Sequence, residues 1–115
     1  MELTAQQVND IVNAAMITAA EAAQREMAQW GDRDACGFAW VNIYDHRGTK
    51  IRANSRLGRA LAAAGVRKDY TGAHCLWNPS KLGVQSVGIL EAGARAAAEV
   101  FKAAGFTAYA GSRLD

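Results

Sequence analysis

The sequence predicts an α+β fold: a ferredoxin-like split βαβ body, βαββαβ, with an added long N-terminal helix. Three observations predict it. An apolar stripe at three-four spacing fills residues 4–30, and short alternating or apolar runs follow it. In addition, Ala63-Ala64-Gly65-Val66 returns as Ala103-Ala104-Gly105-Phe106. Each copy closes a helix and opens a strand, as two βαβ halves would.

The first helix carries Val8, Ile11, Val12, Ala15, Met16, Ala19, Ala23 and Met27 on one stripe. Thr4 serves as its N-cap with Gln7 as the capping-box partner, and Gly31-Asp32 end it. At 1.5 Å per residue it is about 40 Å long, more than a body of this size needs. The stripe therefore crosses the body of the fold or meets another copy, and a homo-oligomer is expected.

Gly37 to Tyr44 reads as a strand. Ala39, Val41 and Ile43 point to one face, and Phe38, Trp40, Asn42 and Tyr44 to the other. Asn54-Ser55 offers N-caps for a helix carrying Leu57, Ala60, Leu61 and Ala64, which stops at Gly65. Val66 to Tyr70 is a short strand, Thr71-Gly72-Ala73 a turn, and His74 to Asn78 the returning strand, broken by Pro79. Ser86 caps a helix from Gly88 to Ala104, and Phe106 to Ala110 makes the last strand before a polar Ser112-Arg113 end.

The chain of 115 residues makes one domain, with residues 1–32 as the N-terminal helix and 36–111 as the body. Alanine accounts for 25 positions, so an apolar share of 50% overstates the greasiness of the chain. No run of 18 apolar residues exists, so no spanning helix and no membrane partner are expected. The N-terminus lacks a basic and apolar leader, which points to the cytoplasm and to free thiols at Cys36 and Cys75. With only His46 and His74 beside those cysteines, no metal and no cofactor are expected.

The net charge of +2 says little; its distribution says more. Between His46 and Arg59 stand Arg47, Lys50, Arg52, Arg56 and Arg59 without one acid. Such a block is either a solvated face or the footprint of an anionic partner. Arg56 and Arg59 lie near a helix N-terminus, where free N–H groups favour phosphate. Gly58 either admits a ligand to the backbone there or merely weakens the helix.

The rings of Phe38, Trp40 and Tyr44 face away from the aliphatic side of their strand. They either stack bases or form core beneath the N-terminal helix or a second subunit. These residues predict binding of a phosphate-bearing ligand, a nucleotide or nucleic acid. Arg52, Arg56, Arg59, Lys68 and Arg113 would hold phosphate, and Trp40, Tyr44 or Trp77 would stack a base. Whether the basic loop and the rings share a face depends on strand register, which the sequence leaves open. Two alternatives stand beside this reading: a small enzyme drawing on His74, Tyr70, Asp69 and Glu91, and a protein-interaction module. A Cys75–His74 dyad is excluded, because neighbours on a strand point to opposite faces.

Gly37-Phe38-Ala39-Trp40-Val41, Arg67-Lys68-Asp69-Tyr70, Trp77-Asn78-Pro79 and Ala108-Tyr109-Ala110-Gly111-Ser112-Arg113 resemble segments of small proteins encoded by tailed bacteriophages. The resemblance covers residues 36–115 and leaves out the first helix. It brings no catalytic residues. It implies a phage accessory protein in a host cytoplasm, one that binds nucleic acid, sequesters a host nucleotide signal or blocks a host enzyme.

Overall fold

The computed structural model describes residues 2–32 and 35–115. Helix α1 spans Ala5–Trp30, and its start is the predicted capping box: Thr4 Oγ1 accepts the Gln7 N–H while Gln7 Oε1 accepts the Thr4 N–H. Its inward stripe is Val8, Val12, Ala15, Ala19 and Ala23, all fully buried. The alanines let it lie close on α3 (Val87–Ala103), where a Cβ added to Gly93 would stand 3.2 Å from the Ala19 carbonyl oxygen. The alanine content of the chain thus acts through close helix packing.

Strand β1 is Gly37–Tyr44, helix α2 Arg56–Ala63, strand β2 Arg67–Lys68, strand β3 His74–Trp77 and strand β4 Thr107–Leu114. They form one four-stranded sheet in the order β2-β3-β1-β4, antiparallel at every pairing. Helices α1, α2 and α3 gather on one face of it. There Val8, Val12, Leu61, Leu90 and Phe101 share a core with Ala39, Val41, Ile43, Leu76 and Ala108 of the sheet. Each fully buried valine or leucine in that core contributes about 1.5–3 kcal/mol.

The expected strand limits change in two places. The strand expected over 66–70 shrinks to Arg67–Lys68, because Asp69 turns the chain by accepting N–H groups from its own loop. The last strand, expected to end at Ala110, runs to Leu114 and pairs with the whole of β1. The reason lies in β1, which is twice as long as β3. Alternate residues along one of its edges, Phe38 among them, need partners from β4 that a five-residue strand would leave unmade.

The N-terminal helix and the aromatic side of β1 do not meet. That side of the sheet carries no helix among the described residues, and Phe38, Trp40 and Tyr44 stay partly exposed. No helix among the described residues is long and apolar enough to cross a membrane.

Candidate functional site on the open sheet face

Register decides which side chains share the open face. Directly opposed residues in antiparallel strands project to the same side. Trp40 stands between Gly111 on β4 and Trp77 on β3, and Asn42 between Tyr109 and Cys75. Phe38 lies opposite Arg113, Tyr44 opposite Thr107, and Arg67 opposite Cys75.

The rings on this face are ordered. Asn78 donates its backbone N–H to the Ala39 carbonyl. Ala39, Val41 and Ile43 therefore make the β1–β3 ladder bonds, and Trp40–Trp77 is a non-hydrogen-bonded pair, the type whose side chains approach closer. The two indoles stack with centroids 5.6 Å apart and planes 3° from parallel. Trp40 can lie flat because its other neighbour is Gly111, where a Cβ would come within 2.6 Å of the ring. Phe38 tilts against Trp77 at 5.6 Å, and the Arg113 guanidinium sits 5.3 Å above the Phe38 ring. At the other end Tyr44 meets Tyr109 edge-on at 5.9 Å.

Beside the stack lies a hollow of about 310 Å³ lined by Trp40, Asn42, Asp69, Tyr70, Trp77 and Arg113, with Thr71 and Cys75 completing its wall. Its floor is one hydrogen-bonded chain. Trp40 Nε1–H donates to Asn42 Oδ1 at 3.1 Å, and Asn42 Nδ2–H donates to Asp69 Oδ2 at 3.0 Å. Asp69 Oδ1 accepts both the backbone N–H and the hydroxyl of Thr71. Burial disfavours the Asp69 charge, but the hydrogen bonds from Thr71 and Asn42 outweigh it and hold the carboxyl below its usual range. Burial, with the Asp69 charge second, pushes the Cys75 thiol up to about 11, so it is no nucleophile near neutrality.

Three of the residues singled out from the sequence meet at the hollow, Trp40, Trp77 and Arg113, and Tyr44 shares their face at its other end, against Tyr109. The others stand elsewhere. Lys68 is opposite His74, whose side chain is buried beneath the helices, so Lys68 projects toward the helical side. Arg52, Arg56 and Arg59 flank the start of α2, also on that side. Arg59 donates to the Asn54 carbonyl at 2.6 Å, and Arg56 borders a separate hollow with Glu2 and Thr4. Gly58 admits no ligand. A Cβ there would fall 2.0 Å from the Arg52 carbonyl oxygen, so the chain's own backbone fills that space.

The four groups considered for acid-base work do not converge. His74 lies in the core and Glu91, bonded to Arg95 and Ser112, lies on α3, while Asp69 and Tyr70 border the hollow. Among the described residues no group of three or more His, Cys, Asp or Glu is placed to hold a metal ion.

Asn42, Tyr109 and Arg67 carry no ligand role in the sequence reading, and Asp69 enters it only as an acid-base candidate. The alternation of β4 from Thr107 through Arg113 marks Tyr109 as facing Arg113's side, had the strand been extended past Ala110. Arg67 had no signal without the register. Compared with known proteins, the chain matches no family model, no curated protein and no solved structure.

Proposed function

We propose that this chain is a ferredoxin-like domain that binds a phosphate-bearing ligand, a nucleotide or a short single strand of nucleic acid, on its open sheet face. The fold reading is supported by the strand order. β3 lies between β1 and β2, and β1 lies between β3 and β4, so each βαβ half is split by a strand of the other.

The observation that carries the function is the flat Trp40–Trp77 stack beside a hollow with Arg113 at its rim. Trp77 keeps 48% of its surface exposed and Tyr109 61%, so ring faces are available to bases. Aromatic platforms of this kind accept any base through its π-face, worth about 1–3 kcal/mol per base. Arg113 and Arg67 supply the phosphate contacts, because the register sets both on the ring side of the sheet. Arg52, Arg56, Arg59 and Lys68 take no part on this reading. The setting suggested by the phage resemblance, sequestration of a host nucleotide signal, fits a site of this size.

The test is a tryptophan-fluorescence titration with mixed-sequence single-stranded oligonucleotides and mononucleotides at low and moderate salt. Quenching that weakens as salt rises supports the reading. An unchanged spectrum at millimolar ligand overturns it.

A further inference from the structure

Resting on that reading, we infer that the hollow beside Trp77 selects guanine, and that Asp69 is the specificity-determining residue.

The argument is a donor and acceptor count on the floor of the hollow. Trp40 has one side-chain donor, committed to Asn42 Oδ1. Asn42 commits one amide hydrogen to Asp69 Oδ2, and Thr71 commits its N–H and its hydroxyl to Asp69 Oδ1. Each carboxylate oxygen offers about two acceptor positions. Asp69 Oδ1 is therefore saturated, while Oδ2 keeps one lone pair and Asn42 Oδ1 keeps another. The donors left over are the second Asn42 amide hydrogen, the weak S–H of Cys75, the Tyr70 hydroxyl and the Arg113 guanidinium.

A base that lies on the tryptophan platform with its edge on this floor must present two adjacent hydrogens, one to Asp69 Oδ2 and one to Asn42 Oδ1, and an acceptor to the Arg113 side. Guanine does both on one edge, with N1–H and the N2 amine adjacent and O6 next to them. Adenine and cytosine set their single exocyclic amine beside a ring acceptor, N1 or N3, which would face one of these two oxygen lone pairs. Uracil offers one N–H flanked by two carbonyls. Asp69 is an ionised acceptor at neutral pH, and bonds to an ionised acceptor are the stronger kind. A correctly matched two-point contact discriminates between bases by about tenfold or more.

The experiment compares GMP, AMP, UMP, CMP and inosine 5′-monophosphate by fluorescence titration against the full chain and against Asp69→Asn and Trp77→Ala variants. GMP is expected to bind about tenfold tighter than AMP, UMP and CMP. Inosine monophosphate, which lacks only the N2 amine, is expected to fall between GMP and the rest. Asp69→Asn replaces the open acceptor with an amide, so the GMP advantage is expected to vanish while weak binding of all nucleotides persists. Trp77→Ala is expected to weaken all five alike. Equal affinities for the five ligands in the unmodified chain overturn the guanine inference and leave base binding standing. A GMP advantage that survives Asp69→Asn overturns the role of Asp69, and binding of none of them overturns both readings. The comparison of GMP with inosine monophosphate needs no variant, so it tests the guanine selection even where Asp69→Asn fails to fold, and equal affinity for the two overturns the two-hydrogen contact.

Discussion

The Trp40 indole lies flat over Gly111 of the adjacent strand, with Cε2 only 2.6 Å from where a Cβ would stand. The glycine is a seat for the ring, and the ring in turn covers a backbone stretch that has no side chain of its own. Gly111→Ala is expected to lift the indole from the sheet and break its parallel stack on Trp77. Overpacking of this kind costs about 1–3 kcal/mol. The thermal midpoint should fall by several degrees. Near-ultraviolet circular dichroism should lose the signal of the coupled indoles, and ligand quenching should weaken in parallel.

Trp77 is half exposed and Arg59 is tied to its own loop, so their replacements should separate binding from stability. Trp77→Ala is expected to reduce affinity by roughly tenfold or more, the worth of a stacked base, with a small change in melting temperature. Reversing Arg56 and Arg59 to Glu is expected to leave affinity within about twofold, because both stand on the helical side. Calorimetric titration of the two variants checks both outcomes; a larger loss in the arginine variant would place the ligand on the wrong face.

A salt series counts the phosphate contacts. With Arg113 and Arg67 as the cations on the ring side, the plot of log affinity against log salt for a single strand is expected to have a slope of about −1.4, from −0.7 per contact. Arg113→Gln should bring it to about −0.7. A much steeper slope would mean that the 46–59 loop carries the ligand.

Much of this architecture was legible because it is written in local pattern. The capping box at Thr4 and Gln7, the alternation of Ala39, Val41 and Ile43 against Phe38, Trp40 and Tyr44, and the helix ends at Gly65 and Gly105 each follow from a few adjacent residues. The site was legible only by halves. Trp40, Tyr44, Trp77 and Arg113 could be named as candidates, but their sharing of one face depends on pairings such as Phe38 with Arg113, 75 residues away in sequence. The same non-local step separated Lys68 from Arg67: one register position sends one to the helices and the other to the rings. Gly58 misled for a related reason, since what it adjoins is the folded-back carbonyl of Arg52 and not open solvent.

Gly58 also supplies a stability prediction. The turn before α2 folds back so that the Arg52 carbonyl accepts the Ser55 N–H and hydroxyl, and the Ser55 hydroxyl oxygen accepts the Gly58 N–H. Any side chain at position 58 must push this capped turn apart. Gly58→Ala is expected to destabilise by about 2 kcal/mol or more, against the usual gain from alanine in a helix. Ser55→Ala, which removes only the cap, should cost about 1 kcal/mol. Urea unfolding of the two variants gives the comparison.

His74 and Cys75, adjacent on β3 and facing opposite sides, should bound the pH range of stability from opposite ends. Burial, reinforced by the Lys68 charge, holds the His74 imidazole below its ordinary 6.5, and its Nδ1 has no hydrogen-bond partner. Below pH 6.5 the unfolded chain takes up a proton that the folded chain refuses. The stabilisation is whole above 6.5 and is lost as pH falls toward the folded value. For Cys75 the sign is reversed: the unfolded thiol ionises near 9.0, the folded one near 11, so stability is whole below 9.0 and is lost between the two. Each limb is limited to about 1.4 kcal/mol per pH unit. Thermal midpoints measured across pH should therefore form a plateau between 6.5 and 9.0. His74→Leu should flatten the acid limb down to the region where Asp69 begins to protonate, below 3.8. Cys75→Ala should flatten the alkaline limb alone. An acid limb unchanged in His74→Leu would show that the imidazole titrates freely in the folded chain.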